Sequence, residues 1–250
     1  MKVLTGKKAV VVAGSRGIGA ASALALAEAG AEVLLTYLSS QGPAEELAAR
    51  IRTAGGKAAA VQLDATDEAQ AHAFGAHVKQ ALGRVDVLFN NAGDMVARTP
   101  LAEVSAAYVR KVLELNFTST VLVTKELLAL IPKGGVIINM ASAAARDGGG
   151  PGAGIYAASK GAVVTLTRAW ANEFAPHDIS VFAVAPGVID TDFHRRHSKP
   201  ELLEQIARTS PANKHGAPED VARAVVYLAG EGSGFMTGVT IDINGGRYFA

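Results

Sequence analysis

Residues 10–19 read "VVVAGSRGIG", and the fold turns on this stretch. An apolar, β-branched run ends in a glycine-rich turn. "RGIGAASALALAEAG" then carries the chain into a helix closed by Gly30. Gly14, Gly17 and Gly19 permit a tight turn and let the backbone N–H groups of Ser15, Arg16 and Ile18 approach a ligand closely. The helix that follows aims its positive N-terminal end at the same point, which suits a pyrophosphate. Helix–strand packing alone would also explain the glycines. Their place after the first strand of a βαβ unit favours dinucleotide binding.

Outward from this turn the first half alternates short apolar runs with longer Ala/Leu/Glu segments. Strands are expected at "KAVVVAG", "EVLLTYL", "AAAVQLD" and "VDVLFNNAG", with helices after Gly17, near 43–54 and over 67–82. Beyond them come a long helical stretch near 101–131, the strand "GVIINMAS", a helix around Tyr156 and the strand "ISVFAVAPG". A loop-rich region over 187–217, a helix over 218–229 and a last strand, "GVTIDIN", complete the chain. Such alternation implies an α/β fold with a doubly wound parallel sheet and helices on both faces. No Pro- or Ser-rich linker divides residues 1–250, so one domain is expected.

Composition narrows the function. The chain has 250 residues, 49% hydrophobic and 19% charged, which is globular. A net charge of +1 gives no broad attraction to nucleic acid or to an anionic membrane. Cysteine is absent, which removes disulfides, thiol nucleophiles and thiolate metal sites. No apolar run approaches the ~18 residues of a membrane span, and the N-terminus reaches the glycine turn too soon for a signal peptide. A cytoplasmic protein without a metal is the expectation.

The cofactor can be read further. NAD-type sites carry a carboxylate about 20 residues after the glycine motif. Here the end of the second strand offers Tyr37, Ser39 and Ser40 and no acid, while Arg16 sits inside the turn. Arg16 can neutralise a 2′-phosphate and the serine hydroxyls can hydrogen-bond it; alternatively Arg16 only faces solvent. NADP(H) is favoured, with NAD(H) second.

In "YAASKGAV" Tyr156 precedes Lys160 by four residues, so the two share a helix face. A nearby ammonium favours the phenolate, which predicts an acidified phenol suited to proton transfer. An ordinary surface pair has the same spacing.

Together these elements resemble the short-chain dehydrogenase/reductase family over essentially the whole chain. The resemblance rests on the glycine turn, Asp64, "NNAG" (90–93), Asn116, Ser142, Tyr156, Lys160 and "PGVIDT" (186–191), in that order. It implies a Rossmann-type fold with a seven-stranded sheet, and reversible hydride transfer between a nicotinamide and a carbonyl or secondary alcohol. It implies that Tyr156 exchanges the proton, that Lys160 holds the nicotinamide ribose, that Ser142 binds the substrate oxygen, and that Asn116 anchors a proton relay. For the cofactor it implies Asp64 and Ala65 at the adenine, Asn90, Ala92 and Gly93 at the ribose, and Pro186, Gly187, Val188, Ile189 and Thr191 at the carboxamide. It also implies a homodimer or homotetramer packed through the Tyr156 helix. Trp170 and Phe174 could serve that interface or the core.

Two features depart from the family or extend it. Val12-Ala13 stands where the family has Thr-Gly, so a turn shifted by one residue is expected, because alanine resists positive φ. The segment 187–217 reads as a substrate lid in which His194 and His197 are solvated residues, not metal ligands. Three functions compete: an NADPH-dependent reductase of a free carbonyl compound, a 3-oxoacyl-acyl-carrier-protein reductase, and a non-catalytic NADP(H) sensor. A basic docking patch for an acidic carrier is sparse, with Lys125 and Lys133 near one helix and His177 at the end of another.

Overall fold

A computed structural model describes residues 2–230 and 233–248. Seven strands form one parallel sheet: β1 (Lys8–Val12), β2 (Glu32–Tyr37), β3 (Lys57–Gln62), β4 (Val87–Asn90), β5 (Val136–Met140), β6 (Ser180–Pro186) and β7 (Thr240–Ile243). Their spatial order is β3-β2-β1-β4-β5-β6-β7, and every pairing is parallel. The expected Rossmann-type, doubly wound fold is the one observed. The chain winds outward from β1 in one direction and from β4 in the other, leaving a crevice at their carboxyl ends where such folds bind ligands.

The unbroken apolar runs are explained by burial on both faces. Successive strand residues point to opposite sides. Ala9 and Val11 therefore join one core with Leu26 of α1 (Gly17–Glu28), Ile51 of α2 (Gln41–Thr53) and Val225 of α10 (Pro218–Ala229). Val10 and Val12 join the other core with Phe74 of α3 (Glu68–Ala81), Val123 of α5 (Ser119–Leu127) and Trp170 of α7 (Gly154–Phe174). Each large side chain so buried contributes roughly 1.5–3 kcal/mol. Trp170 and Phe174 stack with centroids 5.9 Å apart and belong to this core.

Two stretches differ from expectation. The long helix near 101–131 is broken: α4 (Ala106–Leu113) passes through a π-helical turn at Glu114–Thr118 into α5. Buried Asn116 sits in that turn and donates from Nδ2 to the Val112 carbonyl at 2.9 Å, supplying a side-chain partner where the ladder is disturbed. The region 187–217, expected to be loop-rich, holds α8 (Asp192–His197) and α9 (Pro200–Thr209). Pro200 opens α9 at a position where a missing N–H costs nothing. A bridge between Ile189 and Gly216, with Asp190 N donating to Gly216 O at 2.9 Å, pinches this segment at its base. The short helix α6 (Ala144–Asp147) precedes α7. Among the described residues no helix is long and apolar enough to cross a membrane.

Candidate active site

The glycine turn is built against β2 and β4. Ala13 adopts φ +54° despite its Cβ, a conformation costing roughly 1–2 kcal/mol for a non-glycine residue. Its N–H donates to Thr36 Oγ1 at 2.9 Å and its carbonyl accepts from Asn91 Nδ2 at 2.9 Å. These bonds hold residue 13 in the left-handed conformation that alanine was expected to resist. Asn91 supplies the link from the turn to "NNAG" that Val12 lacks the hydroxyl to make. At Gly14 a Cβ would lie 2.8 Å from Leu35 Cβ, and at Gly19 it would lie 2.5 Å from Asn91 Nδ2 and against the Ala13 carbonyl. Gly17 faces Thr191, whose Cγ2 would be 3.2 Å from an added Cβ.

Among the described residues none caps the start of α1 with a side chain, and its first turn holds no acidic residue. A helix N-terminus left so, facing a cradle of glycines, fits a bound phosphate group. Arg16 is exposed at its N-cap position, and among the described residues it has no ion-pair partner. Ser15 and Ile18 are partly exposed around the turn; Ser39 is exposed and Ser40 partly so. The residues present therefore suit a dinucleotide.

Other candidate contacts divide. Ala92 and Gly93 reach the surface of the crevice, and Thr191 faces the turn. Asn90 does not reach it. Its Nδ2 donates to Thr124 Oγ1 (2.9 Å) and Asn139 Oδ1 (3.0 Å), and Asn139 continues to Thr167 (3.0 Å), a polar network inside the core. The ring of Tyr37 packs in the core beside α2, as does Ile189 near α10. Asp64 Oδ1 accepts from both Thr66 N (2.9 Å) and Thr66 Oγ1 (2.6 Å), leaving only its other oxygen for an adenine. Ala65 is buried beside it. Pro186 is buried, whereas Gly187 and Val188 are partly exposed.

The four candidate catalytic residues converge on the same crevice. Tyr156 and Lys160 lie one turn apart on α7 and are 7% and 2% exposed. The Lys160 ammonium stands 5.9 Å from the Tyr156 ring centroid and donates to the Met140 carbonyl at 2.8 Å. Asn116 Oδ1 is buried without a partner among the described residues. A Cβ at Gly93 would lie 2.5 Å from it and 2.8 Å from Lys160 Nζ, so the approach of these groups requires glycine. Ser142, just past β5, lies against the Tyr156 phenol.

The spacing predicts an acidified phenol, but the structure shows the opposite. Burial pushes Tyr156 up to about 12; the Ser142 hydroxyl opposes this and the Asp94 carboxylate adds to it. Burial also brings Lys160 down to about 7. At neutral pH the phenol thus keeps the proton it would donate. For Lys160 the folded value lies below the ordinary 10.5, so between about 7 and 10.5 the unfolded chain binds the extra proton. Stability from this group therefore rises with pH across that window. Lys160→Met is expected to raise the melting temperature near pH 7 and to flatten the climb toward pH 10. Thermal denaturation against pH checks both, and a wild-type curve that falls over that interval would refute the assignment.

Several participants were not singled out by sequence. Asn91 stood inside a quoted motif, and Asp94 directly followed it. The two lid histidines are not solvated as expected. His197 has a side chain only 7% exposed and lies 2.7 Å from Asp94 Oδ1. Burial brings His194 down to about 4. Phe193 lies across the Tyr156 phenol, with centroids 5.6 Å apart. Among the described residues no group of three or more His, Asp or Glu could hold a metal. A cavity of about 640 Å³ lies elsewhere, between the lid base and the end of β7, with Lys214, Arg223, Asp242 and Arg247 on its walls.

Known proteins are similar to this chain in sequence and fold. Residues 12–247 match the family model described as enoyl-(acyl carrier protein) reductase. A 3-oxoacyl-[acyl-carrier-protein] reductase of Synechocystis is 36% identical over 249 residues, covering 98% of this chain and 98% of the relative. A short-chain dehydrogenase/reductase from Serratia marcescens superposes with a TM-score of 0.92 at 35% identity, over 98% of each chain. A blue fluorescent protein from a metagenomic library, solved with NADPH, gives a TM-score of 0.93 at 35% identity, over 99% of this chain and 100% of the other. The chain belongs to the short-chain dehydrogenase/reductase family of oxidoreductases.

Proposed function

We propose that the protein is an NADPH-dependent reductase of a free, apolar carbonyl compound, working reversibly on the corresponding secondary alcohol. The observation that carries this reading is the convergence of Tyr156, Ser142, Lys160 and Asn116 at the carboxyl ends of β4 and β5. When bound, NADPH supplies the hydride. The glycine turn and the start of α1 would hold its pyrophosphate, Arg16 with Ser39 and Ser40 its 2′-phosphate, and Thr191 its nicotinamide end. The solved relative with NADPH supports the same choice of cofactor.

Tyr156 gives its phenolic proton to the carbonyl oxygen as the carbon is reduced, and takes it back in the reverse direction. The Ser142 hydroxyl donates a hydrogen bond to that oxygen and stabilises the charge gathering there. Lys160, with its pKa near 7, returns a proton toward the phenol, and Asn116 Oδ1 anchors the far end of this path. Around the phenol stand Met95, Val112 and Ala153, with Val96, Tyr108, Ile155 and Phe193 packed against them. That apolar wall favours a hydrophobic ketone over a sugar. The exposed face of α7, with Ala158 and Thr165 beside the partly exposed Gly161, is read as the contact between copies in a homodimer or homotetramer, and the location as cytoplasmic.

The Synechocystis relative favours a second reading, reduction of a 3-oxoacyl group on acyl carrier protein. NADPH oxidation against apolar ketones, sugars and 3-oxoacyl-carrier substrates separates the two: turnover confined to the carrier substrate sinks the first. The cofactor assignment has its own test. Arg16→Ala is expected to raise KM for NADPH about 10- to 100-fold, as loss of a hydrogen bond between charged groups implies, and to leave KM for NADH nearly unchanged. Equal effects on both cofactors would remove Arg16 from the 2′-phosphate site.

A further inference from the structure

Asp94 touches both the catalytic framework and the lid. Its main-chain carbonyl accepts from Asn116 Nδ2 at 2.7 Å. Its carboxylate accepts from Arg196 Nη1 at 2.8 Å, and His197 Nε2 lies 2.7 Å from the other oxygen. Both partners come from α8, more than a hundred residues later in the chain. Burial would raise the Asp94 carboxyl, but the bonds from Arg196 and His197 prevail and hold it below its ordinary value.

The segment that carries Asp94 is itself fixed. Val96 adopts φ +67°, a strained conformation for a β-branched residue, with Ala97 N donating to Met95 O at 2.8 Å across it. The Tyr108 hydroxyl donates to the Ala97 carbonyl at 2.7 Å and holds this turn from α4. Two residues on, Arg98 donates to the carbonyls of His197 (2.8 Å), Gly149 (3.1 Å) and Pro151 (3.0 Å). The consequence lies over the phenol. With α8 so held, the edges of His194 and His197 pack on Phe193 (centroids 5.2 and 5.0 Å), and Phe193 covers Tyr156.

We infer that Asp94 is a positioning residue for the reduction: by gripping Arg196 and His197 it sets α8 so that Phe193 forms the substrate wall above Tyr156. This rests on the reductase reading for its kinetic consequence alone. The lid rises from the pinched base at Ile189 and Gly216, so releasing the Asp94 grip loosens α8, leaving it the Arg98 bond to the His197 carbonyl, while the sheet and the glycine turn stay in place.

The test uses Asp94→Asn, which keeps shape and removes charge, and Arg196→Gln, whose side chain is 57% exposed and tolerates replacement without threatening the fold. Hydrogen exchange is measured for residues 192–209 beside steady-state kinetics with an apolar ketone and NADPH. Both variants are expected to speed exchange in that segment alone. Both should raise KM for the ketone about tenfold and leave KM for NADPH within about twofold, kcat should stay within about threefold in Arg196→Gln, where no charge acting on the phenol is lost, and the double variant should add little to KM or exchange. Unchanged lid exchange in both variants overturns the inference, as does a loss that falls on kcat with KM for the ketone intact. A wild type that reduces no carbonyl compound would end the reductase reading, while lid exchange would still decide the role of Asp94.

Discussion

Tyr156→Phe lowers kcat for ketone reduction by about 10²–10⁴-fold, the range expected when a positioned general acid is removed. The substitution deletes one oxygen from a side chain that is 7% exposed and packed among Met95, Val112 and Ala153, so the wall of the pocket survives. NADPH affinity, measured by titration of the cofactor's fluorescence, should therefore change by no more than about twofold while turnover collapses. The contrast excludes a general loss of structure. A sensor that binds NADP(H) without chemistry would keep its affinity but have no turnover to lose, because nothing in such a protein depends on the phenolic proton.

Gly19→Ala is expected to weaken NADPH binding by about 5- to 150-fold, the equivalent of the roughly 1–3 kcal/mol that overpacking costs. The added methyl would press on the Ala13 carbonyl and lie 2.5 Å from Asn91 Nδ2. Neither can yield cheaply, since Asn91 binds that carbonyl and Ala13 is already held at φ +54°. Relief would have to come from the turn proposed to receive the pyrophosphate. Gly42→Ala is the matched control, because a Cβ there meets nothing within 4 Å. Cofactor titration and melting temperature for the two variants make the comparison. Equal behaviour would show that the turn tolerates crowding and is not the phosphate cradle.

Much of the fold was legible because its determinants are local or periodic. Runs such as Val10–Val12 announce strands buried on both faces, and Gly30 marks a helix end. Family order then pointed to the four candidate catalytic positions. What escaped depends on tertiary placement. Asn90 and Asn91 are adjacent and chemically identical, yet alternation along β4 sends one into the core with Asn139 and turns the other onto Ala13. Residue spacing brought Tyr156 and Lys160 together but carried no information on how dry their surroundings are, so the phenol's pKa was expected to fall and instead rises to about 12. Pro and charge content made 187–217 look irregular. Its helices, and the pairing of Asp94 with His197, depend on a contact between segments that no short window contains.

The central claim is that a single buried phenol gives the proton in reduction and reclaims it in oxidation. Single-turnover rates in both directions, followed from neutral pH toward the phenol's value of about 12, test it most directly. Alcohol oxidation should climb in proportion to hydroxide, since the phenolate is its base, while ketone reduction stays level and then turns down over the same interval. Both limbs should vanish from the residual activity of Tyr156→Phe. Limbs that persist in that variant, or that bend at unrelated pH values in the wild type, would contradict the account.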